Sequence, residues 1–320
     1  MKRNPLATTF LASLLLLACL SAALPAQAQS NPSSDTLVAA PAPPPIGSIE
    51  RGAYLFALAG CGGCHTDEAH HGAPLGGGTP IDTPFGTFFG PNISRDPTYG
   101  IGSWSDADFI RALREGLRPD GGHLFPAFPY PSFTQMTDTD MLDLKAYIFA
   151  QPAVAQPSKD HDVWFPFSWR WLQTFWRWMN FTEGPFQPDT AKTPAWNRGA
   201  YLVQAVAHCG ECHTPRGMSG GLETDLAFSG TKDGPGGQKV ANITSDKDTG
   251  IGRWSHYQIV HFLKSGILPD GDVAGSLMGE VIRRSTSQMT DTDRDAVATY
   301  LEGLPAIANP QAKATQPGFD

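Results

Sequence analysis

Apolar positions recur along this chain at the three- and four-residue spacing of a helix, and the recurrent stretches come in pairs. Tyr54, Leu55 and Leu58 share one helical face, as do Tyr201, Leu202 and Ala205 further on. A second pair opens at Ser105 and Ser255, each followed three residues later by Asp108 or Gln258, the spacing of a capping pair. Behind those starts the helices would bury Phe109 and Leu113, or Ile259 and Leu263. A third pair opens at Thr137 and Thr290, capped with Asp140 and Asp293, and would bury Leu144, Tyr147 and Ile148, or Val297, Tyr300 and Leu301. No convincing run of alternating apolar and polar residues marks a strand, and the loops are rich in Gly and Pro. The pattern predicts an all-α protein.

The pairing is a tandem duplication. Arg51-Gly52-Ala53-Tyr54-Leu55 recurs as Arg198-Gly199-Ala200-Tyr201-Leu202. Asn92-Ile93, Gly100-Ile101-Gly102, Trp104-Ser105 and Pro119-Asp120-Gly121 recur 150 residues later as Asn242-Ile243, Gly250-Ile251-Gly252, Trp254-Ser255 and Pro269-Asp270-Gly271. The expected organisation is one domain over residues 48–152 and another over 195–305, followed by a C-terminal tail at 306–320. The intervening residues 153–194 contain five of the eight tryptophans. From Trp169 to Asn180, Arg170, Gln173, Thr174, Arg177 and Asn180 fall on one helical side, while Trp169, Leu172, Phe175, Trp176 and Met179 occupy the rest. Such a helix either packs across both domains or lays its aromatic side, residues 164–181, on a membrane interface or a partner subunit.

The first 28 residues change the picture. Lys2 and Arg3, an apolar run from Phe10 to Leu24, and Ala26-Gln27-Ala28 together form a secretory signal peptide, followed by a flexible Pro- and Ala-rich linker at 29–47. Leu16-Leu17-Ala18-Cys19 also has the look of a lipoprotein signal, which would lipidate Cys19. No later stretch has the length and apolarity of a membrane span. The expected location is the periplasm, with attachment to the inner-membrane surface as a variant. Without Lys2 and Arg3 the 23 basic residues fall to 21 against 31 acidic ones, about ten net negative charges. Phosphate backbones would repel such a chain, so nucleic acid is excluded as a partner.

Beyond Cys19, the cysteines form two identical spacings, Cys61-Gly62-Gly63-Cys64-His65 and Cys209-Gly210-Glu211-Cys212-His213. A disulfide between residues so close would staple little. A CxxC pair also serves thiol exchange or half of a zinc site. The histidine directly after each second cysteine points elsewhere: CxxCH is the haem c attachment pattern, with two thioethers on the porphyrin edge and the histidine on the iron. Two copies predict two covalently bound haem c groups.

The order of helix, CxxCH, capped helix, loop and capped helix resembles class I cytochrome c written twice, so the expected fold is two tandem domains of that kind joined by an aromatic-rich linker helix. More closely, Arg198–Leu202, His208 to Arg216 and Met278-Gly279-Glu280-Val281 resemble the cytochrome subunits of membrane-bound alcohol, gluconate and sorbitol dehydrogenases, over roughly residues 48 to 303. Those subunits usually carry a third haem domain; this sequence has two motifs.

The resemblance places a methionine ligand in the loop before the last helix, and Met278, 65 residues after His213, is the expected ligand of the second iron. At the matching place in the first copy stands Phe128, which has no donor atom. Three outcomes remain there: Met136 as ligand, His123 as ligand, or an open iron. The resemblance also implies that the Pro215 carbonyl accepts from His213, where the first copy has Thr66-Asp67. Trp104 and Trp254 either donate to a haem propionate or simply pack. Asn92 and Asn242 are expected to hold loop backbone, and Gly52 and Gly199 to let Tyr147 and Tyr300 approach the first helix.

Electron transfer is the function that follows: a periplasmic or membrane-bound dehydrogenase as donor, and a terminal oxidase or another cytochrome in the respiratory chain as acceptor. The chain reads as a subunit or carrier more than as a catalyst on its own. The alternative is a dihaem enzyme, peroxidase-like or thiosulfate-oxidising, acting through the first haem.

Overall fold

A computed structural model describes residues 47–316. The expected secretory leader, Cys19 and all but the last residue of the expected 29–47 linker lie outside the described residues. Helix α1 (Ile49–Leu58) starts where the Ser48 hydroxyl accepts the Arg51 N–H, and the short α2 (Cys61–His65) follows at once. Helix α3 (Asp106–Glu115) begins at a complete capping box, in which Ser105 and Asp108 each accept the other's backbone N–H. A single turn, α4 (Tyr130–Phe133), leads to α5 (Asp138–Ala150), capped by Thr137. The segment between the copies holds α6 (Gln173–Asn180). The second copy then runs α7 (Pro194–Tyr201), α8 (Gly210–His213), α9 (His256–Ser265), α10 (Ser276–Arg284) and α11 (Asp291–Glu302). Ser255 with Gln258 caps α9, and Thr290 caps α11, at the predicted starts.

In each copy the first helix crosses the last at a glycine. A Cβ at Gly52 would lie 1.9 Å from the Asp143 carbonyl oxygen, and one at Gly199 would lie 1.9 Å from that of Ala296. The Cβ atoms of Tyr147 and Tyr300 would lie at 2.8 Å each, behind those carbonyl groups, so the glycines admit a helix backbone as well as the expected tyrosines. The copies differ just downstream. Cys61 is ten residues after Arg51, but Cys209 is eleven after Arg198. The extra residue is absorbed where α7 continues as a π turn, Leu202–Val206, whose wider winding buries Leu202, Val203, Ala205 and Val206 completely.

Two parts of the expected architecture are corrected. The protein is not all-α: a hairpin of β1 (Pro80–Thr83) and β2 (Gly86–Phe89) is joined by β3 (Asp162–Val163) in a three-stranded antiparallel sheet. Strands of four and two residues, carrying Pro80 and Gly86, are too short to show alternation. They form because the chain leaving the first copy returns to them, with the Phe89 N–H donating to His161 Nδ1 at 3.2 Å.

Nor do the copies stand as two tandem domains joined by a linker helix. All described residues belong to one compact unit, and one hydrophobic core draws Leu55, Leu58 and Phe133 together with Val203, Ile259 and Leu301. Polar contacts also cross the boundary: Ser285 Oγ donates to the Leu58 carbonyl at 2.9 Å, and Ser132 Oγ to Glu211 at 2.7 Å. A repeat period reveals the duplicated unit; it does not reveal the surface that each copy keeps for the other. Helix α6 touches both, through Thr174 Oγ1 and His123 Nε2 (3.0 Å) on one side and the Trp176 indole on the Ser219 carbonyl (2.9 Å) on the other. Residues 306–316 of the expected tail pack onto the second copy, burying Ala312 and Ala314.

Candidate functional site

Each CxxCH motif occupies one helical turn, so its two thiols, three residues apart, face the same side. The four thiols are unpaired. His65 Nδ1 lies 2.7 Å from the Pro91 carbonyl oxygen, and His213 Nδ1 lies 2.7 Å from that of Ala241. A carbonyl only accepts, so Nδ1 carries the proton and the lone pair is on Nε2, the nitrogen a metal would take.

The acceptor carbonyls are themselves held. Asn92, buried next to Pro91, donates through Nδ2 to the carbonyls of Val154 and Gln156 at 2.8 Å and accepts the Ser94 N–H at 2.9 Å. Asn242, next to Ala241, donates to the Ile307 carbonyl at 2.7 Å and accepts the Thr244 N–H at 2.9 Å. The loop-holding role expected of the two asparagines thus orients the histidines. The expected Pro215 contact is corrected: that carbonyl accepts the Glu223 N–H, and the two copies fix their histidines alike.

Burial lowers the pKa of His65 and His213 against the opposing pull of the carbonyl bonds, which keeps both rings neutral. Burial also pushes the Cys61 and Cys209 thiols up to about 12, with the second cysteine of each motif adding to the effect. Among the described residues no cluster of three or more His, Cys, Asp or Glu side chains is arranged to hold a metal ion. Two unpaired thiols three residues apart, beside an imidazole with a free Nε2, are the residues haem c attachment uses, the thiols for thioethers to the porphyrin and the imidazole for the iron.

The candidates for the distal side are placed very differently. Met278 lies half-buried in α10. Phe128 is half-buried too, its ring 5.5 Å from that of Phe133. Met136 is enclosed in the core at 0% exposure, and its main-chain carbonyl accepts from Arg114 at 2.9 Å. Met289 holds the matching place before α11, at 5% exposure, with its carbonyl accepting from Arg294 at 2.6 Å. His123 is tied by Nε2 to Thr174 on α6. The Trp254 indole N–H is taken by the Thr315 carbonyl at 2.8 Å, and Trp104 packs half-buried against the core. The backbone acceptors at 91 and 241 escaped sequence reading, because a carbonyl has no residue-type signature.

Residues 49–150 match the family model described as Cytochrome c. The chain is 42% identical over 275 residues to the cytochrome c subunit of a quinone alcohol dehydrogenase of Gluconacetobacter polyoxogenes, an alignment covering 83% of this chain and 58% of that protein. It is 39% identical over 269 residues to a diheme cytochrome c-type protein of Cereibacter sphaeroides, covering 82% and 87%. It is 38% identical over 276 residues to the gluconate 2-dehydrogenase cytochrome c subunit of Pantoea cypripedii, covering 84% and 62%. The chain thus spans under three-fifths of the alcohol dehydrogenase subunit.

Proposed function

Because the chain belongs to the cytochrome c family, we propose that it carries two covalent haem c groups, one at each motif, and relays electrons from a partner dehydrogenase to a downstream acceptor. The observation that carries this reading is the pair of matching turns, each with two unpaired thiols and a histidine whose Nδ1 is held by a carbonyl. Cys61 and Cys64, and Cys209 and Cys212, would hold the ring edges through thioethers, with His65 and His213 as the proximal ligands. Haem iron held in this way supplies a one-electron ferrous/ferric couple. Met278 offers the second copy a soft thioether, which favours the ferrous state and raises the potential relative to a second histidine.

In the first copy Phe128 has no donor, Met136 is walled into the core and His123 is engaged with α6. These placements support an open distal position there, and with it the second reading, a peroxidase-like or thiosulfate-oxidising enzyme acting at the first haem. The names of the relatives support a donor that oxidises an alcohol or a sugar acid, with a terminal oxidase or another cytochrome as acceptor. The leader supports a periplasmic location, and the aromatic face of residues 164–181 supports contact with the membrane surface.

Expression in a host competent for haem attachment tests the proposal. Two porphyrin additions in the intact mass, and reduction of both groups on mixing with the partner dehydrogenase and its substrate, are the expected results. A single addition, or none, overturns the two-haem reading.

A further inference from the structure

We propose that His208 bridges the two haem-bearing motifs and acts as the positioning residue for electron passage between them, an inference that rests on the two-haem reading. His208 directly precedes Cys209, and the residue directly preceding Cys61 is Gly60. Gly60 sits in the left-handed backbone region at φ 63°, where a glycine is at ease. His208 sits in the same region at φ 39°, where a side chain makes the conformation strained. The second copy therefore keeps an imidazole at a position whose backbone favours no side chain.

The ring is put to use across the repeat boundary. His208 Nε2 lies 3.2 Å from the carbonyl oxygen of Ala59, which is two residues before Cys61. The carbonyl only accepts, so Nε2 is the donor. The Phe133 ring, also from the first copy, packs on the imidazole in a T-shaped pair with ring centroids 5.4 Å apart, which restricts its rotation. Both ends of the contact are anchored: the Cys209 N–H donates to the Val203 carbonyl at 2.9 Å, and the Leu58 carbonyl accepts from Ser285 Oγ at 2.9 Å. The result is a path of covalent bonds from Cys209 through the His208 ring, across a single hydrogen bond, and through Ala59 and Gly60 to Cys61. Electronic coupling decays less along bonds and hydrogen bonds than across a gap of the same length.

The step balances as a one-electron exchange. Haem iron held by His65 and by His213 would supply it, one iron losing the electron that the other gains, while the Nε2 proton of His208 stays on the ring.

The test compares the full-length holoprotein with His208→Gly, which restores the first-copy residue and relieves the backbone, and with His208→Asn, which tolerates the left-handed region but is too short to reach Ala59. Four quantities are measured: haems per chain by pyridine haemochrome, both midpoint potentials, the interhaem equilibration rate after flash-triggered reduction, and the exchange rate of the His208 Nε2 proton by NMR. The expected result is a slowly exchanging Nε2 proton in the parent protein. Both variants should slow interhaem transfer by about an order of magnitude, with haem content and potentials unchanged. An unaltered rate in either fully loaded variant overturns the inference, as does a rate change that merely follows a shifted potential. A count of one haem in the parent protein overturns the two-haem reading first, and the bridge with it.

Discussion

The phenol of Tyr54 in the first copy donates a 2.7 Å hydrogen bond to Asp293 in the second, and its oxygen accepts the N–H of Thr290 at 3.2 Å. The exchange is reciprocal, since Tyr201 donates to Asp140 and accepts the Thr137 N–H at 3.2 Å. Each carboxylate is also gripped by an arginine of its own copy, Arg51 on Asp140 and Arg198 on Asp293. A helix start in each copy is thus completed by a tyrosine of the other, which ties the halves into one unit.

Removing either hydroxyl tests that tie. Tyr201 is buried and Tyr54 only half-buried, so Tyr201→Phe should cost about 2 kcal/mol and Tyr54→Phe about 1 kcal/mol, the range for hydrogen bonds to a charged group with partial solvent screening. Urea unfolding of the holoprotein measures both. Wild-type stability in both variants would show that the exchange contributes nothing to folding.

Acid should act on the same contact. Burial pushes the Asp293 carboxyl up, but the hydrogen bonds from Arg198 and Tyr54 outweigh it and hold the group below its ordinary value of 3.8. A depressed carboxylate contributes stability that is fully present above its unfolded value and is lost as the pH falls through the folded one. Tyr54→Phe moves the folded value back toward the ordinary one, so its stability should fall less steeply with acid below pH 3.8 than the parent's. Melting temperatures recorded down to roughly pH 2 would show parallel curves if Asp293 were not coupled to Tyr54.

These contacts mark the limit of what the sequence displays. Helix starts were legible because Ser105, Thr137, Ser255 and Thr290 are local signals, completed within three residues. The haem-bearing turns were legible because their donors are adjacent in the chain. Tyr54 and Tyr201 read as members of apolar faces, and only the packed pair of copies shows where their hydroxyls go. The Pro91 and Ala241 carbonyls lie 26 and 28 residues from their histidines and belong to residue types that predict nothing. The sheet was hidden for a similar reason, since β3 comes from a segment more than 70 residues beyond the hairpin it completes.

The helix crossings allow a prediction of opposite character, where addition does the damage. Gly199→Ala would drive a methyl to 1.9 Å from the Ala296 carbonyl, and the helix α11 backbone must shift to make room. A loss of about 3 kcal/mol is expected, the upper end for overpacking a tight contact. Thermal melting checks it; an unchanged melting temperature would mean that the crossing is loose.

The aromatic surface between the copies should bind lipid. Trp178 is 84% exposed, with Phe165, Phe175 and Met179 also exposed around it. Residues 163–182 carry two arginines and no acidic residue in a chain of net charge −8. Arg170 and Arg177 lie against Phe125 and Phe181, at 4.5 and 4.6 Å from the ring centres, which leaves the outer face to the indoles. Tryptophan favours the lipid headgroup level. The purified protein should float with liposomes, and Trp178→Ala combined with Phe175→Ala should reduce the floated fraction several-fold. Absence of flotation in the parent protein would leave a partner subunit as the occupant.

Phe128 offers the sharpest test of how the copies have diverged. It stands 150 residues before Met278, on a half-buried side chain that packs against Phe133. If the first iron is open because Phe128 replaces a thioether, the reduced parent protein should bind carbon monoxide at one haem. Phe128→Met should then abolish that binding and add a second methionine–iron charge-transfer band in the near-infrared spectrum of the oxidised protein. Met136→Ala distinguishes this from the competing ligand. Met136 is fully enclosed in the core, so its truncation should cost about 3 kcal/mol through the cavity it leaves while the spectrum holds. Loss of a methionine band in Met136→Ala would reverse the assignment: the buried thioether would then be the ligand, and Phe128 would be packing alone.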